Sequence, residues 1–287
     1  MEHKRRNLIQ WFRGLRLSNK TILSVGLLIF CSNLLVLLLV CSAATSSLRE
    51  KTYEQLQGQL TVALSTVSST VDDTTELMIN MSAASDVSGF VDAGSDYEKN
   101  YLQIVNGTNE AMRVLMRANN MIDYVALLRM DGTEYLYNGA VMVDHDIRQV
   151  LLEDYQHAEK LSESGISGKL LLNCYNDPEL NLFCPIYKSF SAPTNEPSAV
   201  LVAGINTKKL LHYVAAENES LNIRIMNVNG EITASNNLAE IGTTAERFGA
   251  YTLQNGQVSA DDNLIAYQRH PEGIWIADGS ISQQVLF

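Results

Sequence analysis

Apolar residues crowd into one uninterrupted run near the start of the chain and recur periodically everywhere else. From Thr21 to Ala43 the sequence reads TILSVGLLIFCSNLLVLLLVCSA, 23 residues with no charge and eight leucines. At about 1.5 Å rise per helical residue this run reaches roughly 35 Å, enough to cross a hydrocarbon core of about 30 Å. No second run of its kind occurs in residues 44–287. Beyond it, apolar or small residues fall at Leu56, Leu60, Ala63, Val67, Val71, Thr74, Met78 and Met81, among Gln, Ser, Thr, Asp and Glu. Steps of three and four place them on one side of a helix. The pattern predicts a long helix rising out of the membrane, containing Gly58 and ending near Ser88-Gly89. Its stripe serves either the protein's own core or a dimer seam.

A second helix is predicted from about Asp96 to Asn119, with Tyr101, Ile104, Val105, Met112, Leu115 and Met116 on one side. The texture then changes. Asp123 to Met130 is strand-like, Asp131-Gly132 is a turn dipeptide, and Thr133 to Tyr137 alternates again. His145 to Leu161 reads as helix, and Lys169 to Tyr175, Leu180 to Phe190 and Ser198 to Ile205 as three strands. Lys208 to Glu217 reads as a linking helix capped by Asn206 or Thr207. The order then restarts on a smaller scale. Asn222 to Val228 is a strand, Asn229-Gly230 a type I′ turn signal, and Glu231 to Ala234 the return strand. An irregular piece from Asn237 to Phe248 leads to strands at Tyr251 to Leu253, Leu264 to Gln268 and Ile274 to Asp278. Two consecutive units thus share the order strand, glycine turn, strand, excursion, closing strands. This predicts an α+β fold of two modules, each an antiparallel sheet with helices on one side, strung along the long helix.

Charge orients this layout. Residues 1–20 carry Lys4, Arg5, Arg6, Arg13, Arg16 and Lys20 against Glu2, whereas residues 44–287 hold 15 basic and 31 acidic side chains, a net of −16. The positive-inside rule puts the short basic tail in the cytoplasm and the acidic part outside the cell membrane. A cleaved signal peptide is the competing reading, but the apolar run exceeds the usual h-region of about 7–15 residues. Leu39-Val40-Cys41 is a poor lipobox, since the residue before the cysteine should be small. So acidic a surface excludes nucleic acid as a natural partner. Cys31 and Cys41 lie in the span. Cys174 and Cys184 lie in the exported part, across the turn-like Asn176-Asp177-Pro178. They are either a disulfide, which an oxidising exterior permits, or two separate buried thiols.

Catalytic and cofactor motifs are lacking. Gly165-Ile166-Ser167-Gly168-Lys169 is no phosphate loop, because Glu163 stands where the first Gly is required and Leu170 where Ser or Thr is. The five histidines are scattered without metal-ligand spacing, and Asp72-Asp73 and Asp261-Asp262 lack the alternating oxygen ligands of a calcium loop. No serine has a Gly two positions before it and another two positions after it, so there is no nucleophile elbow. The chain is therefore read as no enzyme, with no metal and no cofactor.

In sequence order, the elements resemble the double Cache sensor domains of bacterial transmembrane receptors, most nearly those of sensor histidine kinases. Met130-Asp131-Gly132-Thr133, Asn176-Asp177-Pro178, Cys184-Pro185-Ile186-Tyr187 and the run Val200 to Asn206 carry the likeness in the first unit. Val228-Asn229-Gly230-Glu231 and Gly273-Ile274-Trp275-Ile276 carry it in the second, and the whole covers residues 21–287. The resemblance implies two PAS-like modules. Their expected bounds are a cytoplasmic tail at 1–20, a span at 21–43, a stalk at 44–90, a membrane-distal module at 91–207 and a membrane-proximal one at 208–287.

It further implies a homodimer whose distal module binds a small molecule and signals across the membrane. A second span and an output domain such as a histidine kinase normally follow, and the chain is expected to stop short of them. Tyr175-Asn176-Asp177 matches the Tyr-x-Asp of amino-acid-binding members, so Tyr175 and Asp177 are candidate ligand contacts; a turn initiator and a half-buried strand residue is the alternative. Tyr124, Tyr135, Tyr137 and Tyr187 are candidates for the pocket or else core, with Tyr135 and Tyr137 on one sheet face because strand side chains alternate. Asn206 completes the candidate set, where the family commonly has Asp. No Arg-x-Trp occurs between His145 and Asn173, so no evident fork holds an α-carboxylate. The ligand is left open between an amino acid and another or uncharged molecule. A membrane-anchored extracellular binding or scaffold protein is the alternative function.

Overall fold

Helix α1, Leu17–Ser82, runs unbroken through the apolar run and the periodic stripe. In the computed structural model the described residues are 16–92, 100–140, 142–143, 146–163, 183–191, 197–215, 221–260, 263–271 and 275–282. The chain divides into two compact units, Met1–Thr52 and Tyr53–Phe287. In the first unit the apolar side chains of α1 face outward, Ile22, Leu28 and Phe30 among them, and by length and composition this helix is able to cross a membrane. Cys31 and Cys41 are reduced and exposed there.

In the second unit, every stripe residue from Leu56 to Met81 is buried. The stripe is core. Thr74, the polar member, donates its hydroxyl to Thr70 O (2.7 Å) and accepts from Asn119 Nδ2 (3.1 Å), so it is buried at no loss of hydrogen bonding. The continuous helix predicted to about residue 89 breaks at Ala83-Ala84 and resumes as α2, Ser85–Asp92. Helix α3, Tyr101–Ala118, buries Thr108, Met112 and Leu115; residues 93–99 lie outside the described residues.

The first sheet has the order β2-β1-β4-β3, built from β1 (Ile122–Arg129), β2 (Tyr135–Gly139), β3 (Phe183–Ser191) and β4 (Pro197–Asn206), all antiparallel. One face, with Val125, Leu127, Ile186, Leu201 and Ala203, packs on α1, α2 and α3. The other packs on helix α4, Arg148–Glu163, through Ile147, Leu151 and Tyr155. This module therefore has helices on both faces, not on one. Its central strands read as near-continuous apolar runs because neither side meets water. The strand expected at Lys169 to Tyr175, with Tyr175, Asp177 and Cys174, lies outside the described residues, as does the side chain of Cys184.

Helix α5, Thr207–Ala215, follows, with Asn206 Oδ1 accepting from the amides of Lys208 (2.9 Å) and Lys209 (3.2 Å). Of the two candidate caps, Asn206 is the one used. The second sheet has the order β6-β5-β9-β8-β7, from β5 (Leu221–Met226), β6 (Ile232–Ser235), β7 (Asn255–Ala260), β8 (Asn263–Arg269) and β9 (Ile276–Ser282). The strand expected at Tyr251 to Leu253 is irregular chain, and β7 follows it instead. Val258 is the one large apolar residue of this polar edge strand, so the strand gave no pattern to read.

The sequence echo is real in the turns. Gly132 N–H donates to Arg129 O and Gly230 N–H to Asn227 O, both at 3.0 Å, and both glycines are left-handed, φ 70° and 80°. Each glycine ends its turn rather than sitting at the centre. The type I′ turn expected with Asn229-Gly230 central is thus replaced by one with Val228 and Asn229 central, because Asn227 Oδ1 accepts from the amides of Asn229 (2.9 Å) and Glu231 (3.1 Å). Asp131 does the same for Thr133 (3.0 Å), and that amide, then the Thr133 hydroxyl, draw its carboxyl below the usual carboxylate range.

Candidate ligand site

A bulge decides which side chains share a face. Along β1 and β4 the register runs Ile122 opposite Ile205, then Tyr124 opposite Gly204, leaving Asp123 as the extra residue. Simple alternation would put Ile122 and Tyr124 on the same side. With the bulge, Ile122 joins the core around α1 and Tyr124 the opposite cluster under α4. Gly204 completes the arrangement, since Tyr124's ring occupies the place a Cβ there would take.

Four sequence candidates thereby meet. Tyr124 stacks on Tyr137 (centroids 5.7 Å apart, planes at 25°) and meets Phe183 edge-on (5.4 Å, 82°). Tyr135 stands on the same face, half-buried like Tyr137. Tyr187 packs against Tyr155 of α4 (5.7 Å) and donates its phenol to the Asp154 carboxylate. Tyr124 and Phe183 are buried and form the floor; Tyr135, Tyr137 and Tyr187 are half-buried and carry polar tips. Asn206 is placed elsewhere, at the end of β4, where its Nδ2 donates to Asp123 Oδ2 (2.6 Å) and Lys209 pairs with the same carboxylate.

Sequence reading missed Asp154, Tyr155 and Arg148. Ile147, Leu151 and Asp154-Tyr155 recur at helical spacing, which signals one face of α4, but nothing local says that this face meets the tyrosines. Arg148 starts α4 with its guanidinium 5.4 Å from the Tyr135 ring centroid. Its Nε donates to both oxygens of Asp146 (2.9 and 2.7 Å), its Nη2 also to Asp146, and its Nη1 to Gly132 O (3.1 Å). The hydrogen bond to Asp146 raises the guanidinium above its usual range. Apart from this site, an open cleft of about 520 Å³ lies between α1 and the end of α3, with polar walls that include Asp73, Glu76, Asn80, Arg117 and Asn119. Asp73, on the cleft wall, and its neighbour Asp72 are both exposed, as expected of a surface pair. Among the described residues no cluster of three His, Cys, Asp or Glu is placed to hold a metal.

The second sheet has a different polar centre. Asp278 on β9 is fully buried and accepts from Arg224 Nε (2.8 Å) and Nη2 (2.5 Å) and from Tyr251 Oη (2.5 Å). Burial would lower the Arg224 guanidinium, but the Asp278 carboxylate more than offsets it and the net shift is upward. Tyr251 is pushed well above the usual phenol range, first by burial and then by Asp278. Its ring stacks on Tyr267 at 4.6 Å. The donors around Asp278 are mutually satisfied and lock β9 to β5 and to the segment that covers the sheet.

No family model matches the sequence, and comparison with curated proteins finds no relative. Solved structures do match the fold. The sensory domain of the Campylobacter jejuni chemoreceptor Tlp3, with isoleucine bound, is 16% identical and superposes with a TM-score of 0.51, over 84% of this chain and 97% of that one. The ligand-binding domain of the Pseudomonas fluorescens chemoreceptor CtaA, in complex with L-isoleucine, is 11% identical with a TM-score of 0.52, over 85% and 96%. A domain assigned to the sensory box/GGDEF family from Vibrio parahaemolyticus is 12% identical with a TM-score of 0.57, over 83% and 98%. At such identities the likeness is one of architecture. The fold is the double Cache one: a long helix carrying two antiparallel sheets.

Proposed function

We propose that the chain is the extracellular ligand-sensing part of a membrane-anchored receptor and binds a small molecule on the aromatic face under α4. The observation that carries this is the meeting of Tyr124, Tyr135, Tyr137, Tyr155, Phe183 and Tyr187 with Asp154 on one face of the first sheet. Apolar rings with a few polar tips are the usual lining of a small-molecule site. On this reading the first sheet is the membrane-distal module and the second the proximal one. The apolar run of α1 is the anchor, with the basic tail in the cytoplasm. Ligand shifts the receptor by binding one of two arrangements better than the other, since equal affinity moves nothing. The chain does no chemistry on what it binds; Tyr175 and Asp177 remain proposed contacts alongside the rings.

The test is a thermal-shift screen of the full chain in lipid nanodiscs against amino acids, amines, organic acids and neutral metabolites. A binder present at one hundred times its Kd stabilises by about 2.7 kcal/mol, an easily read rise in Tm. If no compound raises the Tm, sensing by direct binding fails.

A further inference from the structure

A carboxamide stands at the middle of the apolar run. Asn33 is twelve residues from Thr21 and ten from Ala43 along α1, so roughly 15–18 Å of helix separates it from either end. Its side chain is exposed on the helix surface and has no hydrogen-bond partner among the described residues. The Thr21 hydroxyl bonds back to Leu17 O of its own helix (3.0 Å), a recourse the Asn33 amide does not take. In hydrocarbon no water replaces the missing partner, and asparagine is too short to lift its amide to the headgroups. Such a group marks a face that another helix covers.

The residues around it define that face. Counting in sevens from Asn33 gives Gly26 and Val40, and the positions three further on are Ile29, Val36 and Ala43. None of the eight leucines of the run falls on this line. A seam of small and β-branched side chains around one asparagine suits two parallel helices, with the leucines left to the lipid. Depth selects the partner. Copies of this chain inserted with the basic tail on the same side hold Asn33 at the same level. A carboxamide is both donor and acceptor, so Nδ2 of one copy meets Oδ1 of the other across a two-fold axis.

We propose that this face of α1 docks on the same face of a second copy within the membrane, the paired Asn33 amides fixing the register. The proposal rests on reading the apolar run as the membrane anchor, and adds the partner and the surface that meets it. Farther along α1, the stripe from Leu56 to Met81 is buried in the chain's own core and is not free to serve as the seam.

The full chain, carrying a donor or an acceptor dye at its N-terminus and diluted in phosphatidylcholine vesicles, tests this by energy transfer. The wild type is expected to associate, and Asn33→Leu to weaken association about three- to thirtyfold. Asn33→Gln, which keeps the amide, retains most of it, and Leu38→Ala, on the opposite side of the helix, leaves it unchanged. In a Cys31→Ala, Cys41→Ala background, oxidation is expected to link copies through Val36→Cys and not through Leu38→Cys. Association unchanged by Asn33→Leu, or linkage through Leu38→Cys in preference to Val36→Cys, overturns the proposal. So does a wild type that stays in the vesicles through an alkaline carbonate wash yet shows no energy transfer, which leaves the anchor standing. A chain that the wash releases overturns the anchor and the proposal together.

Discussion

The ring of Tyr124 lies across Gly204 of the neighbouring strand: a Cβ built at Gly204 would stand 1.9 Å from Tyr124 Cε1. The bulge at Asp123 turns the tyrosine to this face, and the glycine lets its ring lie flat there.

Gly204→Ala is therefore expected to displace Tyr124 and to destabilise the second unit by about 1–3 kcal/mol, the usual cost of overpacking. The effect is steric rather than a matter of backbone angle. Gly249→Ala, with nothing within 4 Å of its added Cβ, is the control and leaves stability nearly unchanged. Denaturant unfolding of both variants checks the contrast.

Asn206 caps α5 through Oδ1 and holds Asp123 through Nδ2. Asn206→Ala is expected to cost about 1 kcal/mol at any pH, from loss of the cap. Asn206→Asp keeps a capping oxygen but sets a second carboxylate against Asp123. Its deficit is large at pH 7 and shrinks as the pH falls toward about 4, where one carboxyl takes a proton and the repulsion is relieved. Urea melts from pH 4 to 7.5 separate the two behaviours.

Asp278 holds Arg224 and Tyr251 in a buried cluster, so Asp278→Ala is expected to cost about 3–5 kcal/mol by stranding the arginine charge. Tyr251 adds a pH dependence. Its folded pKa is raised, so its contribution is fully present below the unfolded value of about 10 and is lost as the pH climbs above that. Tm measured from pH 8 to 11.5 should fall more steeply in the wild type than in Tyr251→Phe.

Two substitutions in α1 are expected to act in opposite directions. Leu60 is wholly buried, and Leu60→Ala is expected to destabilise by about 2–5 kcal/mol. Gly58 is exposed in the middle of the helix with nothing near its added Cβ, so Gly58→Ala is expected to stabilise by about 0.5–1 kcal/mol. Thermal unfolding reads both.

Periodicity is a local property, and it was enough to place most elements. The eight stripe residues from Leu56 to Met81 are buried as their spacing required, because a helix fixes which residues share a side. The apolar run Thr21 to Ala43 was equally legible as helix long and apolar enough to cross a bilayer, since that capacity is a matter of length and composition. Reading failed where the local signal was weak or a side-chain cap intervened. Asn227 moved the second hairpin turn by one residue, and β7 carried one large apolar residue for the pattern to show.

The candidate site was half legible for a different reason. Tyr135 and Tyr137 share a face by strand alternation alone, and the sequence determined that much by itself. That Tyr124 joins them depends on a one-residue bulge, which only pairing with β4 creates. That Tyr187 and Asp154 meet depends on α4 closing over the first sheet, thirty-three residues away in sequence. Sequence determines which side of its own element a residue takes, because that follows from backbone geometry. Tertiary packing alone decided which sides face each other, and so made four scattered tyrosines and an unremarked aspartate into one surface.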